Sequence, residues 1–384
     1  MKQQKKKVLI DINSVIPYYV TGRSNGIGRT TLELVKALNS IGDLPVDIAL
    51  FSQNMKGVGA RNLQTRFKGF HLYLPHREKW NMMIARTPIR EWMTGYNLMH
   101  IPHNFEHVRS PEKCIATLHD ALFMKIEEKA FSHAAMRIMV PPFVRRCRRI
   151  VTCSEHSRKD IVETMSVSPE SIDVIPWGIS HNVFTPADDI NAVRMNMAGR
   201  FKVRNPYFLS VSCNAERKRS DILVRSYIEL NRSAPVSHDL VMVWENPPSA
   251  LVEEIHKSGF AARIHLLSGV SETDLVMLYQ GAVAAFNPSS YEGFGLPVLE
   301  AMACGIPAVT CRNSSLPEVG GDAAIYLDEP IEHSLIETMQ RFERGEVDCA
   351  ETGRKGRKRA AEFTWDNVAQ QTVNSYLKAL NITL

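Results

Sequence analysis

Twice along this chain, short apolar runs of strand length alternate with segments of helical period, and that double series constrains the fold more than any other feature. In the first half the runs Val8–Ile12, Val46–Phe51, Leu98–Ile101, Cys114–Leu118, Ile150–Cys153 and Asp173–Ile175 read as strands. Between them Thr31, Leu34, Val35 and Leu38 share one helical face, and Ser154 offers a serine cap to the helix behind it. The second half restarts with Tyr207–Val211, Leu240–Trp244, Arg263–Leu267, Ala282–Phe286 and Ala308–Cys311, and helices open near Ser220, Ser249, Ser271 and Pro297. Ser271 and Asp274 fit a capping box ahead of Leu275 and Leu278. Strands that alternate with helices imply parallel sheets covered on both faces, so two successive series imply two doubly wound α/β units. The seam is expected at Phe184–Pro186, where polar and proline-containing sequence separates the series. Such sheets bind ligands beyond the carboxyl ends of their strands, and two of them offer a cleft between.

The bulk numbers narrow the class. A chain of 384 residues exceeds one ordinary core, and 44% hydrophobic with 23% charged residues describes a globular protein. No apolar run approaches the ~20 residues that cross a bilayer. The start, MKQQKKKVLIDINS, meets Asp11 after four apolar residues, which makes a poor export signal and a good first strand, so the cytoplasm is the expected compartment. Seven cysteines without a CxxC pair argue against a disulfide framework or a metal cluster. The net charge of +5 is mild but uneven, with Lys2, Lys5, Lys6 and Lys7 at the start and Arg145, Arg146, Arg148 and Arg149 in one run. Those runs are either a solvated surface or a peripheral contact with an anionic membrane, with apolar Met136, Ile138, Met139, Val140 and Phe143 alongside. No nucleic-acid motif accompanies them.

The segment Ser289-Ser290-Tyr291-Glu292-Gly293-Phe294-Gly295-Leu296-Pro297-Val298-Leu299-Glu300 carries the chemistry. A strand ends, a glycine loop follows, and Pro297 suits the first turn of a helix that Gly305 and Pro307 close. N–H groups from Gly293 to Leu296 would then point out of a helix N-terminus, a favourable place for a diphosphate. Glu292 on the loop and Glu300 inside the helix can each accept hydrogen bonds from a vicinal diol of a sugar or ribose. By spacing alone, an ordinary strand–loop–helix connection with two solvated glutamates is an equal reading.

This segment and its continuation, EAMACGIPAVTCRNSSLPEVGGDAAIYL, resemble the donor-binding signature of the family-4 retaining glycosyltransferases, with Glu292 and Glu300 as the E-x7-E pair. The resemblance implies a GT-B fold: an acceptor-side domain over residues 1–185, a nucleotide-sugar domain over 186–360, and a last helix over 361–384 returning to the first domain. It implies that Glu292 contacts the donor sugar, that Glu300 binds the ribose, and that Gly293, Phe294, Gly295 and Leu296 touch the donor. Gly26 and Gly28, in GRSNGIGR, are similar to the family's glycine-rich loop near the donor phosphates. Thr31 stands where a dinucleotide fingerprint needs its third glycine, so a nicotinamide enzyme is disfavoured. His119 and, beside it, Asp120 match the family's HD motif at the reacting sugar, and Arg217-Lys218 resembles its diphosphate-binding basic pair. The segments around Ser154–Ile161, Ile175–Ile179 and Phe363–Asp366 are similar to further family stretches in the expected order. Trp244-Glu245-Asn246-Pro247-Pro248 and Leu267-Ser268-Gly269-Val270 depart from the pattern near the nucleotide base.

The expected activity is transfer of a hexose, foremost mannose from GDP-mannose, to a saccharide or lipid-linked saccharide in bacterial surface-polysaccharide (O-antigen type) synthesis. UDP-glucose, UDP-galactose and UDP-N-acetylglucosamine are the alternative donors. No cofactor or metal is expected, since no DxD motif stands at a strand end. The rival classes are a catalytically silent sugar-nucleotide-binding subunit and a phosphorylase of related fold.

Overall fold

The computed structural model describes residues 5–22, 26–126, 131–329 and 331–382. Contacts divide the chain into two compact units, residues 1–178 with 364–384, and residues 179–363.

In the first unit, β1 (Lys7–Asp11), β2 (Asp47–Gln53), β3 (Lys68–Leu72), β4 (Leu98–Ile101), β5 (Cys114–Thr117), β6 (Arg149–Thr152) and β7 (Ile172–Val174) form one parallel sheet in the order β3-β2-β1-β4-β5-β6-β7. Val8 lies opposite Ile48 on one side and Leu98 on the other, so β1 is central and its apolar run is buried. Leu9, Phe51, Met99, Ile101, Ala116, Val140, Phe143 and Ile161 share one core cluster. The helix Gly26–Ser40 buries the expected face of Thr31, Leu34, Val35 and Leu38, and Ser154 accepts the Ser157 N–H at 3.0 Å to cap the helix Glu155–Met165.

The helix Trp365–Leu380 belongs to this unit, packing on the helix Gly26–Ser40 and on β4 and β6. Its Tyr376 hydroxyl meets His100 Nδ1 at 2.7 Å, and its Ser375 and Lys378 donate to Asp173 at 2.7 and 2.8 Å. Gly178 gives it room, because a Cβ there would lie 2.5 Å from the Trp365 nitrogen.

In the second unit, β8 (Tyr207–Ser212), β9 (Asp239–Trp244), β10 (Ile264–Leu267), β11 (Ala284–Asn287), β12 (Ala308–Cys311) and β13 (Ile325–Leu327) form a parallel sheet in the order β10-β9-β8-β11-β12-β13. Strand order reverses between β1 and β4 in one sheet and between β8 and β11 in the other, so each unit has one switch point where a ligand can lie beyond the strand ends. The Ser271 hydroxyl caps the helix Glu272–Gly281 through the Asp274 N–H. The Asp274 carboxylate returns to the Ser271 hydroxyl at 2.7 Å, where a capping box would reach the backbone N–H.

The basic run after the helix Phe131–Val144 is engaged in tertiary bonds: Arg149 pairs with Asp173, Arg148 donates to the Ala379 carbonyl, and Arg145 donates to the Met165 carbonyl. Val140 and Phe143 are core residues. Among the described residues no helix is long and apolar enough to cross a membrane.

Candidate functional site

The switch point of the second unit gathers charge. The loop after β8 turns through the short helix Glu216–Lys218, and the loop after the neighbouring strand β11 carries Glu292. Glu292 is buried at 7% exposure. Its carboxylate accepts from Lys218 Nζ at 2.5 Å, from Ser289 Oγ at 2.8 Å and from Arg217 at 3.2 Å. Burial pushes this carboxyl up, but the Lys218 and Arg217 charges and the hydrogen bonds from Lys218 and Ser289 outweigh it and hold the group below the usual glutamate range. Arg217 also donates to the Tyr291 carbonyl at 3.0 Å, and its own carbonyl receives the Ser290 N–H at 2.7 Å. The two loops are therefore stitched together by backbone and side chain.

Gly295 starts the helix Leu296–Ala303 with φ +105°, a conformation only glycine adopts without strain, and a Cβ there would sit 2.9 Å from Leu316. Pro297 lies in the first turn. Ser315 Oγ lies 2.8 Å from the Glu292 carbonyl and 2.9 Å from that of Phe294, and Ser314 Oγ accepts the Glu292 N–H at 2.9 Å. Phe294 is buried edge-on against Phe363. Glu300, one turn in, is buried and accepts from the Tyr279 hydroxyl at 2.9 Å. Gly293 and Leu296 are half-buried on the same loop. The arrangement offers two buried carboxylates, two cations and the start of a helix beyond one pair of strands.

Sequence reasoning missed Ser289, Tyr279, Ser314 and Ser315. The Ser289-Ser290 pair at a strand end and the Asn313-Ser314-Ser315 run were the available signals.

The first unit has its own polar cluster beyond β1 and β4. Asp11 ends β1, wholly buried, and His103 follows β4 with Nε2 3.6 Å from Asp11 Oδ1. Glu106 pairs with His76 at 3.0 Å and lies 3.5 Å from Arg90. Among the described residues Asp11, His103 and Glu106 are the one group with ligand atoms close enough for a metal ion. Both Asp11 oxygens already accept from Asn13, and both Glu106 oxygens accept from His76 and the His107 N–H. With the Arg90 cation alongside, the cluster reads as an internally paired network.

His119 follows β5, its ring nitrogen Nε2 3.2 Å from the Pro102 carbonyl and its ring 5.4 Å from that of Trp177. Burial drops its pKa to about 4, with the His103 charge adding to the fall against the Pro102 bond. Asp120 Oδ1 accepts the Leu122 N–H at 3.0 Å, starting the helix Leu122–Lys125. Gly26 and Gly28 lie in the first turn of the helix Gly26–Ser40, Gly28 buried; Arg23, Ser24 and Asn25 of that loop lie outside the described residues.

The profile of Glycosyltransferase Family 4 matches residues 24–183, and that of Glycosyl transferases group 1 matches residues 197–359. The chain is similar to an MMP alpha-(1->4)-mannosyltransferase of Mycolicibacterium hassiacum, 32% identical over 62% of this chain and 55% of the relative, so it spans about half of that protein's length. It is similar to O-antigen chain mannosyltransferase B of Escherichia coli, 26% identical over 91% of this chain and 95% of the relative. Its fold is similar to that of a sucrose-phosphate synthase from Thermosynechococcus elongatus, with a TM-score of 0.75 at 16% identity over 97% and 98% of the two chains. Two doubly wound units, the E-x7-E loop at a switch point and two profiles that between them span most of the chain give one answer: the chain belongs to the family-4 glycosyltransferases and has the GT-B fold.

Proposed function

We propose that this glycosyltransferase moves a mannosyl group from GDP-mannose to a saccharide or lipid-linked saccharide acceptor in surface-polysaccharide synthesis, with retention of configuration and without a metal. The observation that carries the donor site is the convergence of Arg217, Lys218 and Glu292 at the β8–β11 switch point beside the start of the helix Leu296–Ala303. Mannose is supported by the two relatives, both mannosyltransferases. UDP-hexoses are the alternative donors, because Trp244 to Pro248 and Leu267 to Val270 depart from the family pattern near the base.

In this reading the diphosphate takes up Arg217 and Lys218, and fixed cations with helix N–H groups stabilise it as it leaves. Glu292, kept ionised by the same cations, binds sugar hydroxyls, and Glu300, held by Tyr279, binds the ribose. His119 and Asp120 serve the reacting end of the sugar, as the resemblance implies. Attack on the face the diphosphate leaves accounts for retention with no enzyme nucleophile.

The acceptor side includes an anionic membrane as partner. Its surface is Tyr73 to Met93, where Tyr73 (66%), Met83 (49%) and Trp92 (78%) are exposed and Arg77, Lys79 and Arg86 are exposed basic neighbours. That segment is preferred over the run Arg145–Arg149, where Arg145, Arg148 and Arg149 make tertiary bonds.

Incubation with GDP-mannose or each UDP-hexose in EDTA, with the product's anomeric configuration read by NMR, tests the proposal. An α-mannoside is expected. Transfer from none of the donors refutes the transfer reading; a β-product refutes retention.

A further inference from the structure

The β1–β4 switch point of the first unit holds a charged cluster that the proposed chemistry does not use directly. Elementary hydrogen-bond rules assign protons within it. His103 Nδ1 lies 3.0 Å from the Phe105 carbonyl oxygen, which can only accept. Its other nitrogen lies 3.6 Å from Asp11 Oδ1, an ion-pair separation rather than a hydrogen bond. A carbonyl acceptor at one nitrogen and a buried carboxylate beside the other favour the imidazolium. The charges agree: burial alone would pull the His103 pKa down, yet Asp11 raises it net, and His103 with His76 and the Asn13 N–H keeps Asp11 low against the same burial.

His119 is the opposite case. Its Nε2 faces the Pro102 carbonyl at 3.2 Å, so the proton is on Nε2 and Nδ1 is bare. Its backbone N–H donates to Asn104 Oδ1 at 3.2 Å. Pro102 and Asn104, the two residues that hold His119, are the two chain neighbours of His103. The other end of the same loop is pinned by Glu106, which accepts the His107 N–H at 2.8 Å and pairs with His76, while Arg90 donates to the His107 carbonyl at 2.6 Å.

We propose that His103 is a positioning residue for His119: clamped as a cation between Asp11 and the Phe105 carbonyl, it fixes the Pro102–Asn104 backbone so that His119 presents a proton-free Nδ1 to a ligand hydroxyl. The ligand step rests on the proposed transferase reading; the clamp itself does not. A hydroxyl can donate to that Nδ1, and a neutral imidazole that cannot rotate recognises it in one orientation only. Neither residue type nor spacing in the sequence assigns this task to His103.

The test joins a spectroscopic and a kinetic arm on the full chain. With 15N-labelled histidine, the His119 signal, assigned by its loss in His119→Ala, is expected as the pure Nε2–H tautomer, becoming a tautomer mixture in His103→Gln and in the milder Asn104→Ala. In transfer assays, His103→Gln is expected to lower kcat about tenfold or more, the scale of a misplaced reacting group, with the donor KM unchanged. In a His119→Ala background the same substitution should add no loss. Equal loss in both backgrounds, or an unchanged His119 tautomer in the variants, overturns the proposal. If His103→Gln does not fold, Asn104→Ala alone decides both arms. If the wild-type chain transfers no sugar, the transferase reading falls while the tautomer arm still decides the clamp.

Discussion

Glu292 keeps its negative charge where burial alone would neutralise it, because Lys218 and Arg217 reach it from a loop more than seventy residues earlier. The three groups work as a unit, so removing one leaves the others wrongly charged and misplaced. Glu292→Ala and Lys218→Ala are each expected to lower turnover at least about tenfold, with steady-state kinetics as the measure; near-normal rates in both would remove the donor site from this loop. The loop position of Glu292 and the helix position of Glu300 were legible because the glycines and Pro297 mark a loop and a helix start, whereas their donor roles came from the family resemblance. The Lys218–Glu292 pairing was not, since nothing local specifies which distant cation a carboxylate meets. Ser289, Ser314 and Tyr279 were missed for the same reason: Ser289 and Tyr279 hold the carboxylates and Ser314 the Glu292 N–H, and such distant hydroxyls carry no sequence pattern of their own.

At the level of elements, the helix that bears Glu300 is set by close packing. The helix Cys349–Ala360 approaches it through Gly353 and Gly356, and a Cβ on Gly353 would lie 2.0 Å from the Gly305 carbonyl oxygen. Gly353→Ala should therefore destabilise by at least about 1–3 kcal/mol. Gly199→Ala, in a helix where a Cβ meets nothing within 4 Å, should be neutral or stabilising by up to about 1 kcal/mol. Thermal denaturation of the two variants reads the contrast, and equal shifts would refute it. The last helix depends on charge. Asp173 on β7 is held below the usual aspartate range, since bonds from Arg149, Lys378 and Ser375 outweigh its burial. Its contribution is complete above the unfolded value of 3.8 and is lost as pH falls through the lower folded value. Asp173→Asn should cost about 1–3 kcal/mol at pH 7, and denaturant titrations should show that gap closing in strong acid. A gap of the same size at low pH would contradict the assignment. Central strands such as β1 and β8 were legible because most of their residues are buried and their runs are mainly apolar. The edge strands β3 and β13 were not: Lys68 and Gly69 are exposed, and β13 has three residues.

For the whole molecule, two open sheets each reverse strand order once, and each reversal places a buried carboxylate beside a basic side chain: Glu292 with Lys218, and Asp11 with His103. Topology gives both units the same kind of site, and side chains make them different. One sets two cations and a helix start around its carboxylate, which suits the diphosphate of the proposed donor. The other is internally paired and, in the proposed clamp, positions His119. The double strand–helix series made this architecture legible, whereas the acceptor leaves no comparable pattern in the residues. The claim at the centre of this account is that Arg217, Lys218 and Glu292 form a nucleotide-sugar site. Calorimetric titration of GDP-mannose and the UDP-hexoses into the wild-type chain and Lys218→Ala tests it most directly. Saturable binding of at least one donor, weakened about tenfold or more in Lys218→Ala as expected for loss of a charged phosphate contact, is the predicted result. Binding of none by the folded wild-type chain, or equal affinity in the two proteins, would contradict it.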